Sequence, residues 1–242
     1  MNGLNNKSIL IVGGGSGIGL ATALRAAAAG AKPVIAGRSR ERLDAALAKL
    51  PNSARAEVLD FADAASVTSL AERIGPIDHL VLSASSAVAW GGFAELKEEA
   101  VRAAFENKFW GYWRVTKALA PKLANDGAIV MVTGAAGRAA LPGTSALAAI
   151  NAAIAAAAQV LAVEMAPRRV NVVSPGMTET EAYGWMDSNQ RQAMFAGAAA
   201  KLPLGRIGQP DDMADAILFA LLNPFLTGAI IDVDGGVHLA RR

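Results

Sequence analysis

The chain has 242 residues, 53% of them hydrophobic and 18% charged, with Lys+Arg 23 against Asp+Glu 21 and a formal net charge of +2. This is a globular composition, and with no run of five like charges it carries no electrostatic signature of nucleic-acid binding. Cysteine is absent, which excludes disulfides, thiolate metal sites and cysteine nucleophiles. The length fits one domain over residues 1–242 with a large core. Residues 1–7 contain no apolar stretch of the signal-peptide kind, so a cytoplasmic protein is expected.

Short apolar runs alternate with longer helical ones along the whole length. A strand is expected at 8–12, followed by the turn Gly13-Gly14-Gly15-Ser16-Gly17-Ile18-Gly19 and a helix at 18–29 that Gly30 ends. A second strand at 33–36 leads through Gly37-Arg38-Ser39 into a helix at 40–50, and a third at 55–59 leads through Asp60 and Phe61 into a helix at 64–73. Strands at 78–82 and 128–132 flank a long helix at 101–123. A helix at 146–165, a strand at 169–173, a helix at 211–222 and a strand at 229–233 complete the pattern. The strands are continuously apolar, as expected when both faces are covered. Alternation of this kind predicts an α/β fold with a doubly wound parallel sheet of about seven strands, whose ligands bind at the carboxyl ends of the strands.

The segment 146–166 is long and apolar enough to be weighed as a membrane span. It is mostly alanine and is interrupted by Asn151, Gln159 and Glu164, so a helix packed closely against others is the better account.

The glycine turn is informative because of its place. A strand, glycines and a helix N-terminus in succession let the backbone approach a pyrophosphate, while N–H groups and the helix dipole stabilise its charge. Gly13, Gly15, Ser16, Gly17, Ile18 and Gly19 are therefore expected to bind a dinucleotide.

The spacing Gly13-x-x-x-Gly17-x-Gly19 resembles the short-chain dehydrogenase/reductase family, and the resemblance runs through almost the full length. It implies a Rossmann-type fold and further cofactor contacts from Asp60 and Phe61, from Ser83 and Ala84, and from Pro175, Gly176, Thr178 and Thr180 near the nicotinamide. It also implies that Asn107 is the family's catalytic asparagine. There are departures: Val12 stands where a threonine usually precedes the glycines, and Leu82-Ser83-Ala84-Ser85 replaces an Asn-Asn-Ala-Gly segment, removing side chains that brace the sheet.

The choice of dinucleotide is read at the end of the second strand, where an acid would accept from a ribose 2′-hydroxyl. Gly37 occupies that position, and Arg38 and Ser39, with Arg40 beside them, offer charge-assisted hydrogen bonds to a 2′-phosphate. NADP(H) is expected over NAD(H).

The family's chemistry needs a serine that polarises the carbonyl, a tyrosine that protonates it, and a lysine four residues on that lowers the phenol's pKa. Here Gly134, Leu147 and Asn151 fall at those three positions. No change of register rescues the motif, because Tyr112 is followed at that spacing by Thr116 and Tyr183 by Asp187. A positioned general acid is worth roughly 10² to 10⁴ in rate, so ordinary family chemistry should be severely weakened.

Several residues are weighed as replacements. Thr144 and Ser145 either hydrogen-bond a substrate carbonyl or cap the alanine-rich helix. Asn151 either holds the nicotinamide ribose or packs the helix, and Tyr183 either acts as an acid or makes lid contacts. His79 and His238 are expected to be structural or solvated, and Trp90, Trp110 and Trp113 to serve core or interface. Two functions stay open: an NADP(H)-dependent oxidoreductase of a small carbonyl or alcohol substrate, or a non-catalytic NADP(H)-binding sensor or scaffold. The retained segment 175–186 favours the first. The two long helices also imply a homodimer or homotetramer.

Overall fold

The computed structural model describes residues 3–84 and 89–240; Ser85 lies outside them. In chain order the elements begin with β1 (Ser8–Val12), α1 (Gly17–Ala28), β2 (Lys32–Gly37), α2 (Arg40–Leu47), β3 (Arg55–Val58), α3 (Ala64–Arg73) and β4 (Ile77–Leu82). The second half holds α4 (Glu98–Phe105), a π turn (Glu106–Trp110), α5 (Gly111–Leu119), β5 (Leu123–Val132), α6 (Ser145–Glu164), β6 (Arg169–Pro175), α7 (Ser188–Ala199), α8 (Pro210–Leu222) and β7 (Ile230–Val233).

The strands form one seven-stranded sheet in the order β3-β2-β1-β4-β5-β6-β7, with every pairing parallel. This is the expected doubly wound architecture. Successive side chains along a strand leave on opposite faces. Leu10, Val12, Leu80, Leu82, Ile129 and Met131 therefore pack on one side with Ile150 and Ile154 of α6. Ile9, Ile11, Val81 and Val130 pack on the other with Leu20 of α1 and Ile217 of α8.

Two elements and one set of hydrogen bonds differ from the sequence reading. The long helix begins at Glu98, contains a π turn, and gives way before Leu123 through a short 3-10 turn at Ala120–Lys122, within which Pro121 offers no N–H to a helical ladder. Helix α7 was not anticipated, because its small and polar residues form no apolar stripe; its one local signal is Asp187, whose carboxylate accepts from Asn189 N (2.9 Å) and Gln190 N (3.0 Å). Third, the Ser83 hydroxyl donates to the Val12 carbonyl (2.9 Å), and Tyr112 Oη reaches the Ala84 (2.9 Å) and Val132 (3.1 Å) carbonyls. The strand ends are thus braced without the asparagines that the resemblance implied were needed.

Helix α6 is the one helix among the described residues that is long and apolar enough to cross a membrane. Its Ala146, Ile150, Ile154 and Ala158 are buried against the sheet, while Val160 and Val163 are exposed. His79 is buried within β4, where its Nδ1 accepts from Ala128 N (3.1 Å), and burial pushes its pKa down to about 4. It is neutral and structural.

Candidate active site

The order in which successive strands are added to the sheet reverses between β1 and β4, whose parallel ends pair at Val12 and Leu82. A crevice opens at such a point. The glycine turn crosses it in close contact with both strands. Gly13 has φ +86°, and a Cβ there would lie 2.7 Å from Ala84 N. A Cβ on Gly19 would lie 2.2 Å from the Gly13 carbonyl oxygen and 2.7 Å from Ser83 Oγ, so α1 can seat against the turn only with glycine at that position.

This packing aims the first turn of α1 into the crevice. Ser16 at its N-cap makes no side-chain hydrogen bond to the helix, and the first turn contains no acidic residue. Backbone donors and the positive end of the helix dipole are thereby left for an anion. The cleft beyond, about 650 Å³, runs from Gly15, Ser16 and Ile18 past Arg38 and Arg42 to Phe61. A dinucleotide phosphate fits this donor set. Thr180 and Glu181 stand at the same helix end, with Thr180 Cγ2 3.2 Å and Glu181 Oε2 3.4 Å from where a Cβ on Gly17 would be.

At the ribose end the expected residues divide. Arg38 is exposed, lines the cleft, and makes no ion pair or hydrogen bond among the described residues. Ser39 also lines it, and its Oγ accepts from Arg42 N (3.2 Å) as the cap of α2. Arg40 is engaged with Asp44 (2.8 Å). Arg42 was missed by sequence reasoning, although a residue in the first turn of α2 necessarily shares the end of β2. Glu41 is the carboxylate on this rim. Asp60 Oδ1 accepts from Ala62 N (3.1 Å) within its own loop, whereas Phe61 lines the cleft. Ser83 and Ala84 line it as well.

The second half of the site lies at the ends of β5 and β6. Gly176 packs against Asp234, where a Cβ would meet its Cα at 2.7 Å, and Thr178 donates through Oγ1 to the Gly176 carbonyl (3.0 Å). Thr180 Oγ1 accepts from Ala182 N (3.4 Å). Of the weighed hydroxyls, Thr144 is buried and donates back to the Leu141 carbonyl (2.7 Å), while Ser145 is exposed at the start of α6. Neither Thr144 nor any side chain caps that helix. Tyr183 packs edge-on against Phe195 (5.3 Å between ring centroids), and burial pushes its phenol pKa up, away from the range useful for neutral-pH proton transfer.

Asn107 does not face this site. Its amide donates to Ala103 O (2.8 Å) one turn back on its own helix. The inward row is Ala104, Lys108 and Tyr112, four residues apart, and the π turn carries Lys108 in it. Lys108 is buried; its Nζ donates to Asn151 Oδ1 (2.9 Å) and to the Thr133 carbonyl (3.2 Å). Burial pushes its pKa down to about 8. Asn151, also buried, thus has its oxygen fixed by Lys108 and its nitrogen turned to Gly134, where a Cβ would stand 3.0 Å from Nδ2. Sequence reasoning missed Lys108: its spacing of four from Ala104 and Tyr112 puts the three on one helix face, but does not say that this face is the buried one.

A parallel sheet in this order, with a glycine turn feeding an open helix end at the switch point, defines a Rossmann-type dinucleotide-binding protein. A family model described as enoyl-(acyl carrier protein) reductase matches residues 13–238. The chain is 34% identical to the short-chain dehydrogenase/reductase ATR9 of Stachybotrys chlorohalonatus over 98% of both proteins. It is 32% identical to a 3-oxoacyl-[acyl-carrier-protein] reductase of Thermotoga maritima over 97% of this chain and 98% of that one. A crystal structure of a small-chain dehydrogenase in complex with NADPH superposes with a TM-score of 0.85 at 35% identity, covering 98% of this chain and 100% of the other. The chain belongs to the short-chain dehydrogenase/reductase family, whose members are NAD(P)-dependent oxidoreductases of carbonyl and alcohol groups.

Proposed function

We propose that this protein is an NADP(H)-dependent reductase of a small carbonyl substrate, or dehydrogenase of the corresponding alcohol, whose proton donor is not a tyrosine. The observation that carries the reading is the end of β2, where Gly37 stands in place of an acid and Arg38 and Arg42 line the cleft. A 2′-phosphate gains charge-assisted hydrogen bonds there, and no carboxylate occupies the ribose position at Gly37 to repel it. The NADPH bound by the structural relative supports the same choice.

The residues divide the work by position. Backbone N–H groups of Gly15 to Gly19 hold the pyrophosphate, Arg38 and Ser39 the 2′-phosphate, and Phe61 the adenine side. Pro175, Gly176 and Thr178 form the nicotinamide end, with Asn151 donating to its ribose. When bound, NADPH supplies a hydride. The protein's part is to hold the carbonyl beside it, exclude water and deliver the proton. Segment 177–187, lying over the glycine turn, is the water-excluding element.

The test is a fluorescence titration with NADPH and with NADH, followed on the same sample by a screen of keto esters and ketones for NADPH oxidation. NADPH-selective binding with turnover is expected. Equal affinity for both nucleotides would overturn the choice of cofactor. A non-catalytic NADP(H)-binding role is the second reading, favoured by Gly134, Leu147 and Asn151 standing where the family's serine, tyrosine and lysine belong. Tight binding with no turnover across the screen would select it. We also propose a homodimer or homotetramer, supported by Trp110, Trp113, Val160 and Val163 exposed on α5, α6 and the π turn; light scattering on the eluting protein tests it.

A further inference from the structure

Lys108 is a buried cation at this end of the sheet whose charge the fold does not need. A structural lysine in the interior normally pairs with a carboxylate, because an ammonium removed from water without one is costly. Lys108 has only a main-chain carbonyl and an amide oxygen among the described residues, and no charged group of α6, of β5 or of its own helix faces it. The titratable group one turn along is Tyr112, which burial holds in its neutral form and whose hydroxyl is held on the Ala84 and Val132 carbonyls. A methionine or glutamine would fill the space at lower cost, so a cation here calls for a functional reason.

Its place supplies one. The Nζ sits beside the Thr133 carbonyl, just past the end of β5, and beside Asn151, whose amide nitrogen faces Gly134. That is the carboxyl edge of the parallel sheet, where ligands bind in this architecture. The π turn that includes Lys108 is a distortion recurrently found at functional sites. Two of the other hydroxyls of the region are committed, Thr144 to the Leu141 carbonyl and Tyr112 to two carbonyls, and the phenol pKa of Tyr183 is pushed up by burial.

We propose that Lys108 is the proton donor of the reduction, held in place by Asn151 and the Thr133 carbonyl and taking over the role that no tyrosine fills. The inference rests on the reductase reading above. In the step, the carbonyl carbon gains the hydride that the bound cofactor supplies, the C=O π pair moves to oxygen, and that oxygen takes an N–H proton from the Lys108 ammonium. The neutral amine regains a proton from solvent before the next turnover. An amine that titrates near neutral pH exchanges protons readily, which suits the role.

The test uses protein labelled with 13C at lysine Cε, with Lys108→Met identifying the Lys108 signal by its loss. The signal is followed against pH with NADPH bound and then with NADP+ bound. An ammonium facing the reaction centre meets the positive charge of the oxidised ring, so its midpoint should fall by about half a pH unit or more with NADP+. Equal midpoints with the two nucleotides overturn the proposal while leaving the cofactor assignment intact. Absence of NADPH binding by the wild type would instead be a failure of the reductase reading, and would take this inference with it. In turnover of ethyl pyruvate, Lys108→Met should bind NADPH within about twofold of wild type, lose about 100-fold or more in kcat/KM, and lose the fall in rate that wild type shows as pH rises through about 8. A variant within about threefold of wild type in kcat/KM overturns the proposal.

Discussion

Replacing Lys108 by methionine should change how stability depends on pH, in a direction set by burial. The amine is pushed down from its ordinary 10.5 to about 8 in the folded chain. The unfolded chain therefore binds this proton more tightly, and the difference of about 2.5 pH units corresponds to about 3 kcal/mol of lost stability where both forms are charged. That cost is fully present below the folded value of about 8, shrinks as pH rises towards 10.5, and vanishes above it. At about pH 9.5 only about 1 kcal/mol of it remains, so wild type should gain about 2 kcal/mol on the methionine variant between about pH 7 and about pH 9.5. The hydrogen bonds to Thr133 and Asn151 that the variant loses weigh on both ends alike and drop out of the comparison. Urea unfolding of both proteins at the two pH values, followed by far-UV circular dichroism and tryptophan fluorescence, measures it, coincident transitions confirming two-state behaviour. A wild-type-to-variant difference that stays constant within about 0.5 kcal/mol would refute the reasoning, because it would mean that Lys108 is hydrated or paired in solution.

Three further outcomes follow from the site. Arg38→Ala should weaken NADPH binding about tenfold and leave NADH binding unchanged, since only the former carries the phosphate its guanidinium meets; equal losses for both nucleotides would assign Arg38 to the adenosine as a whole. Glu181→Gln should tighten NADPH binding severalfold, roughly 1 kcal/mol, by removing a carboxylate from the helix end that takes the pyrophosphate; isothermal titration measures it, and unchanged or weaker affinity counts against that placement. Tyr112→Phe should cost about 1–2 kcal/mol in urea unfolding, because the buried Ala84 and Val132 carbonyls lose their common donor; a neutral result would mean that water replaces it.

The glycine turn and the cleft beside it were legible in the chain because their signals are local. A glycine turn must sit directly between a strand and a helix, and Gly37-Arg38-Ser39 must follow the next strand, so a few neighbouring residues specify the geometry. Even there, Arg42 entered the cleft only because α2 begins at Arg40 and brings its first turn round to the rim. In the same way most of the strands were visible as apolar runs, whereas α7 was not, since its alanines and polar residues carry no periodic contrast.

The catalytic half behaved differently. Composition and spacing alone led to the reading that Gly134, Leu147 and Asn151 fall where the family pattern has its serine, tyrosine and lysine. They did not indicate which side chain would deliver the proton there. Asn107 and Lys108 are neighbours, and a shift of one residue on a helix turns a side chain by about 100°. With the π turn, Asn107 is left bonding to Ala103 on its own helix and Lys108 points inward to an asparagine 43 positions away. Only tertiary packing decides that, because the phase of a helix is set by which face its neighbours bury, and an irregular turn resets the phase without leaving a mark on the residues that form it.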